Sequence, residues 1–97
     1  MSIAAVHERY VALLRNLKTT IEEAEALATS TNHGPLDAVR EEADEALQAL
    51  VKAFEALPDP DRDPRAHLEL LATLAIETAN SAHALRNVID AVRKELN

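Results

Sequence analysis

Four histidines are the side chains of this chain best suited to metal binding or proton transfer, so their spacing limits the chemistry available. His7, His33, His67 and His83 are far apart in the sequence, and no two of them share a helical turn. The Glu-x-x-His pairs that hold two iron ions in helical bundles are absent. Cysteine is also absent, which removes thiolate ligands and thiol nucleophiles. The sequence therefore predicts no metal site and no cofactor.

Three alternating aspartates are the next candidates for chemistry. Asp59, Asp61 and Asp63 match the opening ligands of a twelve-residue calcium-binding loop. That loop needs a glycine at its sixth position and a glutamate at its twelfth, and Pro64 and Leu70 stand there instead. We therefore do not expect calcium binding.

A nucleophile with a neighbouring base would indicate covalent catalysis. Ser81 and His83 are two positions apart on a predicted helix, so their side chains do not face each other. Glu77 is the one ionisable residue near the middle of the predicted core, where burial would raise its pKa, but no reaction follows from a single carboxylate. The sequence predicts a protein without enzymatic activity.

Composition narrows the classes of partner. The chain has 97 residues and a net charge of −7, and 47% of its residues are hydrophobic. This charge opposes binding to nucleic acid or to an anionic membrane surface. No apolar segment approaches the length of about 20 residues that crosses a bilayer, and the N-terminus lacks a signal peptide pattern. We therefore expect one soluble, cytoplasmic domain spanning residues 1–97.

Periodic apolar residues predict that the chain folds into helices. In the last third, apolar positions recur in steps of three and four from Leu68 to Leu96, which predicts one continuous helix over residues 64–96. The same spacing predicts helices over about residues 2–30 and 35–57. Ser2 and Asp63 are candidate N-caps, Gly34 with Pro35 marks the first break, and Pro58 ends the second helix. Short connections between them predict an all-α, three-helix, up-down-up antiparallel bundle.

Small and polar side chains collect halfway along this bundle. Aligning the predicted helices brings Thr20 to the level of Glu77, Thr78 and Ser81. Two interpretations remain open. The hydroxyl groups bond to the preceding turn of their own helices in a packed layer, or they face a gap that would make a small-molecule pocket.

Surplus apolar residues predict a surface for self-association. Leu70 and Ile76 widen the apolar face of the third helix beyond what two neighbouring helices cover. Val11 and Val51 lie outside the core-facing rows of apolar residues on their own helices. The third helix is about 50 Å long and the second about 33 Å, so we expect its last turns to extend past the first loop. The predicted interface comprises Val11, Val51, Leu70, Ile76, Ile89, Val92 and Leu96.

A local motif offers an alternative function. The segment Ala82-His83-Ala84-Leu85-Arg86-Asn87-Val88-Ile89 resembles the phosphorylated histidine segment of histidine phosphotransfer domains and of sensor-kinase dimerisation helices. The resemblance implies a phosphorelay function with His83 as the phosphate acceptor and Arg86 as its charge partner. Ala84 and Asn87 depart from the acidic and glycine residues of those families.

A second resemblance covers the whole chain. Near-unbroken apolar registers, a single glycine, no cysteine or tryptophan, and Asp-Pro and Gly-Pro helix starts are similar to computationally designed helical bundles. This resemblance implies a structural module that associates with itself, a designed homo-oligomer. The alternatives are a bundle with a mid-bundle small-molecule pocket and the phosphorelay bundle that uses His83.

Overall fold

The computed structural model describes residues 2–97, and within that range the chain forms three helices and no strand. Helix α1 spans Ile3–Thr31, α2 spans Gly34–Glu55 and α3 spans Pro64–Leu96. Each helix packs against the other two. The predicted all-α three-helix bundle is confirmed.

Contacts between helices fix their relative directions. Residue numbers rise together along α1 and α3 in three side-chain contacts: His7 with His67, Tyr10 with Thr78, and Glu23 with Arg86. These two helices are therefore parallel. Phe54 lies near the C-terminal end of α2, and its ring is 5.0 Å from the ring of Tyr10, which lies near the N-terminal end of α1. Helix α2 is thus antiparallel to both, as the up-down-up order requires.

Two predicted side-chain caps begin α1 and α3. The Ser2 hydroxyl accepts a hydrogen bond from the Ala5 amide at 3.1 Å. The Asp63 carboxylate accepts one from the Ala66 amide at 3.0 Å. Each cap satisfies an amide that has no carbonyl partner within the first helical turn, which is why both helix starts could be located in the sequence.

The first loop differs from the expected glycine break. The residue with left-handed backbone geometry is Asn32, with φ of 52°, and its amide closes the last turn of α1. Gly34 is already part of α2. It precedes Pro35, whose ring disfavours helical geometry in a preceding residue that carries a Cβ atom. The cap of α2 is His33, whose Nδ1 accepts a hydrogen bond from the Leu36 amide at 3.0 Å.

Helix α2 ends at Glu55, two residues before the predicted position. Leu57 precedes Pro58, which disfavours helical geometry there, and the Leu57 amide bonds to the Phe54 carbonyl in a tight final turn. In the linker to α3, the Asp59 carboxylate accepts a hydrogen bond from the Asp61 amide at 2.9 Å. The alternating aspartates thus shape a turn and cap a helix.

The His33 cap provides a direct test of this loop. Replacing His33 with Ala removes the acceptor for the Leu36 amide, and we expect a loss of about 1 kcal/mol in the free energy of unfolding. His33→Asn supplies another strong cap residue and should retain most of this stability. Urea unfolding followed by circular dichroism measures both variants. Equal destabilisation by Ala and Asn would contradict the capping role.

Candidate functional site

The predicted mid-bundle level is packed at its two threonines. Thr20 Oγ1 donates to the Asn16 carbonyl at 2.8 Å, and Thr78 Oγ1 donates to the Leu74 carbonyl at 2.7 Å. Both side chains are buried, and every buried side-chain polar atom within residues 2–97 has a hydrogen-bond partner. The hydroxyl groups therefore bond to the preceding turn of their own helices, which is the first of the two interpretations.

The other two residues of that level line an open groove. Glu77 and Ser81 lie on the side of α3 that faces α2, beside Leu74 and Asn80. Together with Leu50 and nearby alanines of α2 they surround a cavity of about 560 Å³ that is open to solvent. The four predicted pocket residues are therefore divided, two in the packed layer and two on this groove.

The groove follows most of the contact between α2 and α3, and we call it the α2–α3 groove. Towards the linker it continues past Leu57, Leu70 and Thr73. Towards the first loop it continues past Val39, Leu85 and Val88. On the α2 side its wall includes five alanines: Ala43, Ala46, Ala49 and Ala53 of α2, and Ala56 just after the end of α2.

Side-chain size explains why the groove lies between these two helices. The alanines recur in steps of three and four, so they form one stripe along α2. Leu36 and Leu50 are the buried apolar residues of α2, whereas α3 buries six between Leu71 and Val92. A methyl side chain does not reach across to α3. Helix α2 therefore leaves apolar surface uncovered on this side.

The predicted interface residues do not all reach the surface. Ile76 is 63% exposed, Leu96 52%, Leu70 49% and Val51 36%. Val11 is half-buried. Their uncovered side chains are consistent with the expectation of surplus apolar surface at these positions.

Ile89 and Val92 are buried, at 0% and 5% exposure, so their assignment to an exposed interface was wrong. The prediction compared α3 with the shorter α2 alone. Helix α1 has 29 residues and is parallel to α3, so it covers α3 almost to its end. The buried Leu36 at the start of α2 completes the cover. Only Leu96 extends beyond it.

The exposed residues also lie on different faces and do not form one patch. Leu70 lines the α2–α3 groove with Ala53 and Ala56. Val51 is two positions from both Ala49 and Ala53, about 160° around the helix, and thus faces away from the groove. Ile76 lies on the outer side of α3. The prediction placed these residues at the same height along the bundle. They do not form a patch because their side chains point in different directions around their helices.

A histidine cluster near the start of α1 was missed by the sequence analysis. His7 Nε2 and His67 Nε2 are 2.7 Å apart, and His67 Nδ1 lies 2.6 Å from the Pro58 carbonyl oxygen. The His7 ring meets Phe54 edge to face, with 5.4 Å between centroids. These residues are distant in the sequence. The parallel pairing of α1 with α3 is the signal that places His7 and His67 at one level.

Next to this cluster, Tyr10 is the buried aromatic residue of the core. Its hydroxyl lies 3.1 Å from Thr78 Oγ1, and since the Thr78 hydrogen is donated to Leu74, Tyr10 is the donor. Burial raises the pKa of Tyr10 above its ordinary value of 10.0, the hydrogen bond to Thr78 opposes this shift, and the charge of Glu77 adds to it.

The residues assigned to a phosphorelay lie apart from this cluster. His83 is exposed on α3. Arg86 Nη1 donates to Glu23 Oε2 of α1 at 2.7 Å, and this hydrogen bond lowers the pKa of Glu23. The guanidinium that the resemblance pairs with a phosphate is thus held by a carboxylate of the neighbouring helix.

Titration of Tyr10 tests the burial of this region, because it is the single tyrosine and the chain has no tryptophan. The folded state holds the phenolic proton more tightly than the unfolded state, whose pKa is about 10. Protonated Tyr10 therefore contributes its full share to the free energy of unfolding below about pH 10, and this share is lost as the pH rises through the folded-state pKa of Tyr10. We expect tyrosinate absorbance in the near ultraviolet to appear above pH 10 and together with unfolding.

Tyr10→Phe is the control, since it removes the titrating group and retains the ring. Its free energy of unfolding should fall less steeply with pH above pH 10 than that of the unmodified chain. Tyrosinate that forms at the ordinary pH in a fully helical protein would contradict the burial of Tyr10.

Neither the arrangement of side chains nor comparison with known proteins assigns a function to the groove or to the histidine cluster. Within residues 2–97 no group of three histidine, aspartate or glutamate side chains is arranged to hold a metal ion. Over the same residues, no helix combines the length and the apolar character needed to cross a membrane. No protein-family model, no curated protein and no solved structure matches the chain.

Proposed function

We propose that the protein is a structural module that associates with a second copy of itself through the α2–α3 groove and has no catalytic role. The observation that carries the proposal is the groove itself. It follows the alanine stripe from Ala43 to Ala56, about 20 Å along α2. Apolar surface of this extent on a soluble helix bundle is characteristic of a protein interface.

Small side chains favour a helix as the occupant of the groove. Alanines permit two helix backbones to approach closely, so a partner helix gains contact along the whole stripe. Burial of apolar surface provides about 25 cal/mol per Å², and stable dimers bury roughly 800 Å² per partner. A two-fold dimer is the commonest arrangement of identical chains, and it covers both grooves at once.

Charge placement on α2 favours a second copy over an unrelated helix. Glu45 and Lys52 are both exposed, and Ala49 lies close to the midpoint between them. A two-fold axis near Ala49 would pair the α2 helices antiparallel and bring Glu45 of each copy to Lys52 of the other. Both ion pairs form together because the symmetry repeats each contact. The surface is therefore complementary to itself.

The first test is the mass of the chain in solution. Sedimentation at micromolar concentration should give a dimer for the unmodified protein. Ala49→Glu should give a helical monomer, because it places two like charges beside the two-fold axis. Ile76→Glu is the matched control, since this exposed residue of α3 lies outside the groove, and it should remain a dimer. A single-chain mass for the unmodified protein would overturn the proposal.

The second test reverses the charges. Glu45→Lys should weaken the dimer roughly tenfold, because two attractive contacts become repulsive and exposed pairs contribute up to about 1 kcal/mol each. Adding Lys52→Glu to this variant restores opposite charges and should restore the dissociation constant. If the double variant is weaker than the single one, the antiparallel pairing of the α2 helices is wrong.

The same groove supports one alternative. Its volume of about 560 Å³ lies within the range of small-molecule sites, and Glu77, Asn80 and Ser81 provide polar groups on an apolar wall. This alternative requires a monomer. The sedimentation experiment therefore separates the two candidates before any ligand is screened.

A further inference from the structure

The histidine cluster joins α1 to α3 through two ring nitrogens in a defined state. His67 is 3% exposed, and its Nδ1 lies 2.6 Å from the Pro58 carbonyl oxygen. A carbonyl oxygen only accepts hydrogen bonds, so Nδ1 of His67 carries a hydrogen. When the ring is neutral, its lone pair is therefore on Nε2. This nitrogen lies 2.7 Å from His7 Nε2, so in that tautomer it accepts the His7 hydrogen.

This arrangement is the one that prepares histidine to bind a metal ion. Histidine ligands in metalloproteins characteristically donate the hydrogen of one ring nitrogen to a backbone carbonyl or carboxylate, which orients the other nitrogen towards the metal. Pro58 plays this part for His67. The second ring, that of His7, packs edge to face against Phe54 with 5.4 Å between ring centroids.

We propose that His7 and His67 form a binding site for a divalent transition-metal ion such as Zn²⁺, Ni²⁺ or Cu²⁺. The ion would replace the hydrogen that the two Nε2 atoms share, and this hydrogen would move to Nδ1 of His7. Starting from two neutral rings, this exchange releases no proton. Imidazole nitrogen favours these ions over Mg²⁺ and Ca²⁺, which prefer oxygen ligands.

The fit requires a small movement. Zinc–nitrogen bonds of about 2.05 Å at a tetrahedral angle separate the two nitrogens by about 3.3 Å. The present distance of 2.7 Å would therefore open by about 0.6 Å. His7 is half-buried and lies in the second turn of α1, so its ring can rotate outward, whereas His67 stays fixed. Two coordination positions remain for water, which distinguishes this site from a closed structural zinc site.

Two features of the chain support binding. The net charge of −7 raises the local concentration of cations around the protein. The two ligands also come from different helices, so an ion binds the folded bundle and not the extended chain. Metal binding should therefore stabilise the fold by mass action. Neither the two histidines nor their contacts Pro58 and Phe54 line the α2–α3 groove, so metal binding does not depend on association there.

The test compares thermal unfolding of the full chain in chelator, Mg²⁺, Zn²⁺ and Ni²⁺. At a hundredfold excess over the dissociation constant, Zn²⁺ or Ni²⁺ should raise the Tm by on the order of 10 °C. Mg²⁺ should leave it unchanged, and excess chelator should reverse the rise. No transition-metal shift in the unmodified chain would overturn the proposal and leave the pair as a hydrogen bond alone.

Two variants locate the ion. His7→Gln removes one ligand and retains a hydrogen-bond donor to His67, and its shift with Zn²⁺ should fall below that of the unmodified chain by at least half. His83→Gln is the matched control, since His83 is exposed on α3, and it should retain the full shift. Each shift is measured against the same variant in chelator, so a change in intrinsic stability cancels. An equal shift in His7→Gln would overturn the proposal.

Histidine resonances give a second measurement that needs no variant. Nuclear magnetic resonance of the imidazole groups during Zn²⁺ titration should show changes at His7 and His67 at one equivalent of metal. The signals of His33 and His83 should change little. Changes centred on His33 or His83 would place the ion elsewhere and contradict the assignment.

Discussion

The buried imidazole of His67 constrains the bundle more than any other single group. A buried polar group without partners costs free energy, and His67 satisfies both ring nitrogens with groups from other segments. One partner is the Pro58 carbonyl after α2, and the other is His7 on α1. All three helices are thus joined at this end. Sliding α1 by one turn would leave His67 and the Tyr10 hydroxyl without partners, so these directional contacts select one register in a core of Leu, Ile, Val and Ala.

Once the register of α1 against α3 is fixed, the size of the side chains on α2 determines how much apolar surface of α3 stays exposed. Leu17, Ile21, Leu85 and Ile89 fill the contact between the two long helices. Helix α2 contributes two buried leucines and a stripe of alanines, so it covers less of α3 than α1 does. The α2–α3 groove is the consequence. None of the residues that line the groove is among the hydrogen-bond and ring contacts of the histidine pair, which are Pro58 and Phe54.

Local signals in the sequence predicted most of the fold. Ser2 and Asp63 cap their helices as expected because a cap depends on residues three positions away. The periods of three and four located all three helices for the same reason. The exposed surface and the histidine pair depend on contacts between residues that are distant in sequence, which no local pattern contains. Ile89 and Val92 are buried because a helix distant in sequence covers them, and Val51 and Leu70 diverge because their directions around each helix differ. His7 and His67 meet only when the register is known.

The polar residues on the groove limit how tightly any partner can bind there. Glu77, Asn80 and Ser81 interrupt the apolar wall halfway along, and each must retain water or gain a hydrogen bond when the groove is covered. Covering Glu77 without a partner would cost more than the neighbouring alanines provide, because a methyl group buries little area. The polar level thus favours an occupant with charge opposite to Glu77 over a wholly apolar one, and such an occupant would bind less tightly at high salt.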